Sequence, residues 1–98
     1  MKNLTLRNLT KVCNGIWHGD NALLDQEISA ITTDSRKIEK DCLFVPIVGE
    51  RVDAHRFIPD VMTKGALATL SERELPEADY AYIQVDASLQ AVKDIAEF

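Results

Sequence analysis

The segment Cys42-Leu43-Phe44-Val45-Pro46-Ile47-Val48 decides how the chain folds. It is a short, continuous apolar run, bounded by polar residues 37–41 before it and by Gly49 after it. Such a run suits a strand buried on both faces, as in a sheet with helices above and below. Pro46 has no N–H to donate, so the strand is expected to meet a sheet edge or to end there.

Working outward, residues 27–33, Glu-Ile-Ser-Ala-Ile-Thr-Thr, alternate and are rich in β-branched side chains, which predicts a strand. The pattern breaks at Asp34-Ser35-Arg36. After the central run, residues 49–55 read as a loop. A helix is expected from Arg56 to Lys64, with Phe57, Ile58, Val61 and Met62 facing the core and Gly65 ending it. Pro59 fits its first turn, where a missing N–H costs little. Strands are expected at Ala66 to Ser71 and Tyr82 to Val85. An amphipathic helix follows Asp86, with Ser88 as candidate N-cap and Leu89, Val92, Ile95 and Ala96 at helical spacing. Toward the N-terminus, Thr5 can cap a helix from Thr5 to Cys13 whose stripe is Leu6, Leu9, Val12 and Cys13. Asn14-Gly15 reads as its left-handed close, and Ile16-Trp17-His18 as a short extended piece ending at Gly19-Asp20.

These elements predict an α/β fold: three layers, with a small, mostly parallel sheet of four to five strands flanked by helices. At 98 residues there is room for one domain. Hydrophobic residues make up 46% and charged residues 28%, which is ordinary for a folded chain and excludes disorder. The formal charge of -5 disfavours nucleic acid as a partner, although a few local N–H groups and Arg side chains suffice for one small anion. Cys13 and Cys42 lack metal-type spacing and read as buried thiols. No apolar run approaches the ~20 residues of a membrane span, and the N-terminus does not resemble a signal peptide. A cytoplasmic location is therefore expected. The terminal helix has no stop signal, so the gene product is expected to continue past Phe98.

In open α/β sheets, ligands bind outside the carboxyl ends of the strands. Two polar loops leave such ends here. Asp34-Ser35-Arg36 offers a carboxylate, a hydroxyl and a guanidinium. The second loop offers Gly49 for close backbone approach, then Glu50, Arg51, Asp53 and His55. From pattern alone, the first loop reads equally as a plain turn, with Asp34 bonding nearby N–H groups. Glu50 and Arg51 read equally as solvated charges, and Asp53 and His55 as caps of the next helix. Ser35, His55 and Asp53 form a hydrolase triad only on paper, because the Gly-x-Ser-x-Gly elbow is missing. His18 and His55 have no zinc-like spacing, and there is no Gly-rich phosphate loop.

Taken in order, Thr33-Asp34-Ser35-Arg36-Lys37-Ile38, Leu43-Phe44-Val45-Pro46-Ile47, Gly49-Glu50, Asp53-Ala54-His55-Arg56-Phe57-Ile58 and Gly65-Ala66 resemble the N-terminal domain of the Mur ligases. These are ATP-dependent amide-forming enzymes of peptidoglycan synthesis. The resemblance covers nearly the whole chain and implies a single UDP-sugar-binding domain over residues 1–98. Leu4-Thr5-Leu6, Cys13-Asn14-Gly15 and Gly19-Asp20 are more similar to the subgroup that adds D-alanyl-D-alanine than to the sister subgroup that adds the third stem-peptide residue. The implied ligand is the UDP end of UDP-N-acetylmuramoyl-tripeptide. Its contacts would be Thr33, Ser35, Glu50, Arg51 and Val52, with Asp34 and Arg36 shaping the first loop. The resemblance implies no catalytic residue and no metal ligand in this chain. ATP and magnesium belong to a central domain, D-alanyl-D-alanine is a substrate of the whole enzyme, and a monomer is expected. The family usually has Asp-Gly-His where this chain has Asp53-Ala54-His55. If that glycine requires positive φ, Ala54 is strained or the loop is altered. The rival expectation is a non-catalytic regulatory or interaction module of similar fold.

Overall fold

Five strands make one sheet in the order β1-β5-β4-β3-β2 in the computed structural model, which describes residues 4–76 and 78–98. The strands are β1 (Ile16–His18), β2 (Ile31–Thr32), β3 (Leu43–Phe44), β4 (Ala68–Ser71) and β5 (Tyr82–Gln84). Neighbours run parallel from β2 through β5, and β1 closes the sheet antiparallel to β5. The helices are α1 (Leu6–Val12), α2 (Ile58–Thr63) and α3 (Ser88–Glu97), and a 3-10 turn at Ala54–Phe57 leads into α2. The α/β, mostly parallel expectation is met.

Alternation along the strands makes the three layers. Leu43, Val45, Ala68, Leu70, Ile83 and Val85 share a core with Leu6 and Leu9 of α1 and Ala91 and Ile95 of α3. Phe44 points the other way and packs with Ile58 and Val61 of α2. Residues 42–46 are all buried, as a strand covered on both faces requires. Each fully buried aliphatic side chain here contributes about 1.5–3 kcal/mol. Pro46 follows the end of β3, which lies inside the sheet, so it terminates the strand and does not mark an edge.

Several boundaries differ from expectation. The expected strand over residues 27–33 is reduced to Ile31–Thr32. Glu27 bridges to Thr5, and the Ile28 N–H bonds the Leu4 carbonyl at 3.0 Å, so this stretch anchors the N-terminal segment before joining the sheet. The helix expected from residue 56 instead begins as the 3-10 turn at Ala54, with Asp53 as its N-cap, and becomes α-helical at Ile58. Pro59 lies in the first turn of α2. Ser88 is not the N-cap of α3. Ala87 takes that position, and the Ser88 N–H donates instead to the Glu72 carboxylate at 2.7 Å. The strands expected at residues 66–71 and 82–85 are trimmed to β4 and β5.

Thr5 caps α1 as expected, accepting the Asn8 N–H at 3.2 Å. At the other end Asn14 takes the left-handed conformation (φ 53°), not Gly15. Gly15 is needed for a different reason. A Cβ there would stand 2.5 Å from Ile83 Cγ2 and 2.9 Å from the Gln84 carbonyl oxygen. Both cysteines are free and buried. Burial pushes the Cys13 thiol up to about 11, which makes it a poor nucleophile.

Gly15→Ala is expected to lower stability by about 1–3 kcal/mol through overpacking against β5. Urea unfolding of the two proteins measures this, and equal midpoints would refute the close-approach account.

Candidate functional site

The carboxyl ends of β2 and β3 open onto a shallow depression of about 400 Å³, lined by Thr33, Asp34, Ser35, Arg36, Phe44, Ala54 and Phe57. Its aromatic wall arises because Phe44 faces the α2 layer at the end of β3, and the 3-10 turn lays Ala54 and Phe57 beside it.

The first loop is a self-supporting turn. The Asp34 N–H donates to Thr32 Oγ1 at 3.1 Å, and the Lys37 N–H donates to the Asp34 carbonyl at 3.0 Å. Asp34 Oδ1 accepts the Arg36 backbone N–H at 2.9 Å and Arg36 Nε at 3.1 Å, while Oδ2 accepts Nη2 at 3.2 Å. The Arg36 side-chain hydrogen bond holds the Asp34 carboxyl below its ordinary range. Asp34 and Arg36 therefore satisfy one another and set the turn. By contrast, the Thr33 and Ser35 hydroxyls have no hydrogen-bond partner among the described residues. Thr33 is exposed and Ser35 half-buried, both at the depression. Lys64, read from sequence only as a helix end, reaches the Ser35 carbonyl with Nζ at 3.4 Å and pairs with Asp60 at 2.9 Å.

The second loop is a small hairpin. Val48 pairs with Asp53, and the Gly49 N–H bonds the Val52 carbonyl at 2.8 Å. Glu50, Arg51 and Val52 occupy its exposed tip and do not line the depression. The structure thus brings Thr33 and Ser35 together with Ala54 and Phe57, and leaves Glu50, Arg51 and Val52 outside that group. Val52 stands two residues before Ala54, at most about 7 Å of chain.

Beyond the tip, Asp53 does what a capping residue does. Its Oδ1 accepts the His55 backbone N–H at 2.9 Å and contacts His55 Nδ1 at 2.7 Å, and its Oδ2 accepts Arg73 Nη2. The backbone bond from His55 comes first and the Arg73 side-chain bond second in driving the Asp53 carboxyl far below its ordinary range. His55 is 6% exposed, and its Nε2 accepts the Glu72 N–H at 2.8 Å. A nitrogen that accepts carries no proton, so Nδ1–H donates to Asp53. The Ser-His-Asp reading fails on this geometry, because neither ring nitrogen is left to meet Ser35. Ala54 is unstrained. Among the described non-glycine residues only Asn14 and Asp41 have positive φ, and Ala54 opens the 3-10 turn.

A larger hollow of about 530 Å³ lies at the amino ends of β4 and β5, where His18 and Tyr82 stack at 4.4 Å. The sheet's carboxyl ends are the ligand end of this architecture, and the free hydroxyls lie there too.

Residues 27–98 match the family described as "Mur ligase family, catalytic domain". The chain belongs to the Mur ligase family. It is 41% identical over 76 residues to the UDP-N-acetylmuramoyl-tripeptide–D-alanyl-D-alanine ligase of Buchnera aphidicola subsp. Baizongia pistaciae, a match spanning 76% of this chain and 16% of that protein. It is 46% identical over 76 residues to the UDP-N-acetylmuramoyl-L-alanyl-D-glutamate–2,6-diaminopimelate ligase of Cytophaga hutchinsonii, spanning 74% and 15%. A crystal structure of MurF from Acinetobacter baumannii superposes with a TM-score of 0.82 at 33% identity, covering 93% of this chain and 20% of that one. The chain therefore spans about a sixth to a fifth of the length of the Mur ligases it matches, and its fold is that of one part of them. Among the described residues no helix is long and apolar enough to cross a membrane.

The Asp53 clamp has a pH signature. Its benefit to the folded state is fully present above the unfolded carboxyl pKa of about 3.9 and is lost as pH falls through the lower folded value. Asp53→Asn is expected to be less stable than the wild type at pH 7, with the gap closing below pH ~4. Urea unfolding at pH 7, 5 and 3 checks this, and a gap that is constant with pH would count against it.

Proposed function

We propose that this chain is the nucleotide-sugar-binding domain of a Mur ligase and holds the UDP end of UDP-N-acetylmuramoyl-tripeptide. One observation carries the reading: two spare hydroxyls, Thr33 and Ser35, stand beside an aromatic and methyl wall at the carboxyl ends of β2 and β3. A planar pyrimidine needs an apolar surface under its ring and hydrogen-bonding groups at its edge. The depression offers both. From there the diphosphate would run to the hairpin tip, where Arg51, the Glu50 and Val52 backbone and the turn's N–H groups meet phosphate oxygens. Asp34 and Arg36 shape the turn and Lys64 braces it.

In this reading the chain binds and does not ligate. Its four glycines, at positions 15, 19, 49 and 65, make no phosphate-cradling run. We assign ATP and magnesium to another part of the enzyme, because these residues carry no Gly-rich phosphate loop. The whole enzyme would work in the cytoplasm as a monomer, joining D-alanyl-D-alanine to the muramoyl-tripeptide in peptidoglycan synthesis. The 46% identity to a 2,6-diaminopimelate ligase supports a second reading, the sister activity. Offering the full-length enzyme each amine and following ATP-dependent phosphate release separates the two.

Binding through one end of the ligand predicts an affinity of about 1 mM, near -4 kcal/mol. UDP-N-acetylmuramoyl-tripeptide is expected to shift amide NMR signals of residues 33–36 and 49–55. Shifts confined elsewhere, or none at millimolar ligand, would refute the site. Ser35→Ala is expected to weaken binding by about 0.5–1.5 kcal/mol. An unchanged Kd would return Ser35 to the role of a turn residue.

A further inference from the structure

We infer that His55 is a positioning residue for the nucleotide depression: its Nε2, by accepting the Glu72 N–H, fixes the wall formed by Ala54 and Phe57 against the end of β4. This rests on the UDP-binding reading above.

The hairpin tip is exposed, and the 3-10 turn after it packs Ala54 and Phe57 against Phe44, Ile58 and Val61. Within the turn, Asp53 already takes the His55 backbone N–H, so the ring's Nδ1–H bond to Asp53 repeats a local constraint. The Nε2 bond does something else. It reaches 17 residues along the chain, to the residue that follows β4. Among the described residues a second polar link joins these loops, Arg73 to Asp53; its side chains are 55% and 38% exposed, and solvent weakens such pairs. The His55 ring is 3% exposed, where a hydrogen bond is strong and an unmet N–H is costly. Glu72 is itself tied down, because its Oε2 accepts the Ser88 N–H at the start of α3. The wall of the depression is thereby referred to two rigid elements, β4 and α3, through one imidazole. The Ala54 N–H also bonds the Ile47 carbonyl at 3.2 Å and Phe57 packs on Phe44, Ile58 and Val61, so breaking the Nε2 bond would loosen the wall beside Thr33 and Ser35 without removing any ligand contact.

Two amide replacements separate the arms of the ring. Asparagine places its polar atoms near the δ position and keeps the Asp53 contact. Glutamine reaches the ε position and keeps an acceptor for Glu72. UDP is titrated into each protein and followed by amide NMR. His55→Asn is expected to raise the Kd for UDP about tenfold, equivalent to ~1.4 kcal/mol, while His55→Gln stays within about threefold. Equal affinity in His55→Asn and the wild type, or equal losses in both variants, would overturn the inference while leaving the UDP site standing. A wild-type protein that does not respond to millimolar UDP would overturn the functional reading and the inference with it. If His55→Asn does not fold, the wild type decides. Coupling is reciprocal, so a bond that supports ligand binding is itself strengthened by ligand. Saturating UDP is then expected to slow hydrogen exchange of the Glu72 amide several-fold more than that of Ile83 in β5. Equal effects on the two amides would overturn the inference.

Discussion

Burial of residues 42–46 on both sides is the constraint on which the rest of this structure depends. Leu43 and Val45 require one apolar layer and Phe44 requires another. No two-layer arrangement satisfies both, so α1 and α3 must cover one face and α2 the other. Parallel neighbours on either side of β3 follow, because the helix between β3 and β4 returns the chain to the same end of the sheet. That geometry gathers the loops leaving β2, β3 and β4 at a single edge. The edge that carries Thr33, Ser35 and the hairpin is thus a consequence of how the most apolar strand is covered.

What was legible in the sequence follows the same logic. Alternation and apolar runs depend on near neighbours, so the strands, the helices and the three layers could be read from them. The polar break at residues 33–36 could be read for the same reason, since a strand that stops being apolar has left the core. The lengths were less legible. Glu27 and Ile28 spend their pairing on Thr5 and Leu4, partners more than twenty residues away, and no local pattern predicts that. The cap of α3 was misread on similar grounds. Ser88 has the right chemistry for an N-cap, but a carboxylate from Glu72, sixteen residues earlier, supplies the acceptor. Lys64, Glu72 and Arg73 carried no signal as site residues, because their spacing from the loops they brace is set by the fold. Phe44 did carry one: it alternates with Leu43 and Val45 at the end of the central strand, which assigns it to the opposite face.

The two loops at the carboxyl edge are built on different principles. The first is stabilised from within. Asp34 and Arg36 close it through exposed hydrogen bonds, contacts that solvent screens and that serve mainly to fix backbone geometry. The second is stabilised from outside, through a buried ring that joins it to β4. The Asp53-Ala54-His55 segment shows how far one can substitute within such a loop. Alanine at position 54 is accommodated because the residue enters a 3-10 turn at ordinary φ, and its methyl group then becomes part of the wall of the depression. A glycine there would add backbone freedom and remove that apolar contact.

The two designs differ in what each loop is tied to. A loop closed on itself can present hydroxyls in a fixed direction at little cost to the core. A loop referred to β4 and α3 shares the movements of those elements. Asp34 and Arg36, which shape the first loop, therefore set where the Thr33 and Ser35 hydroxyls stand. Residues that anchor the second set how the carboxyl edge of the sheet is held relative to α3. Glu72 joins the two: its backbone N–H donates to His55 Nε2, while its carboxylate accepts the Ser88 N–H in the first turn of α3. One residue thereby ties the carboxyl edge of the sheet to the start of α3.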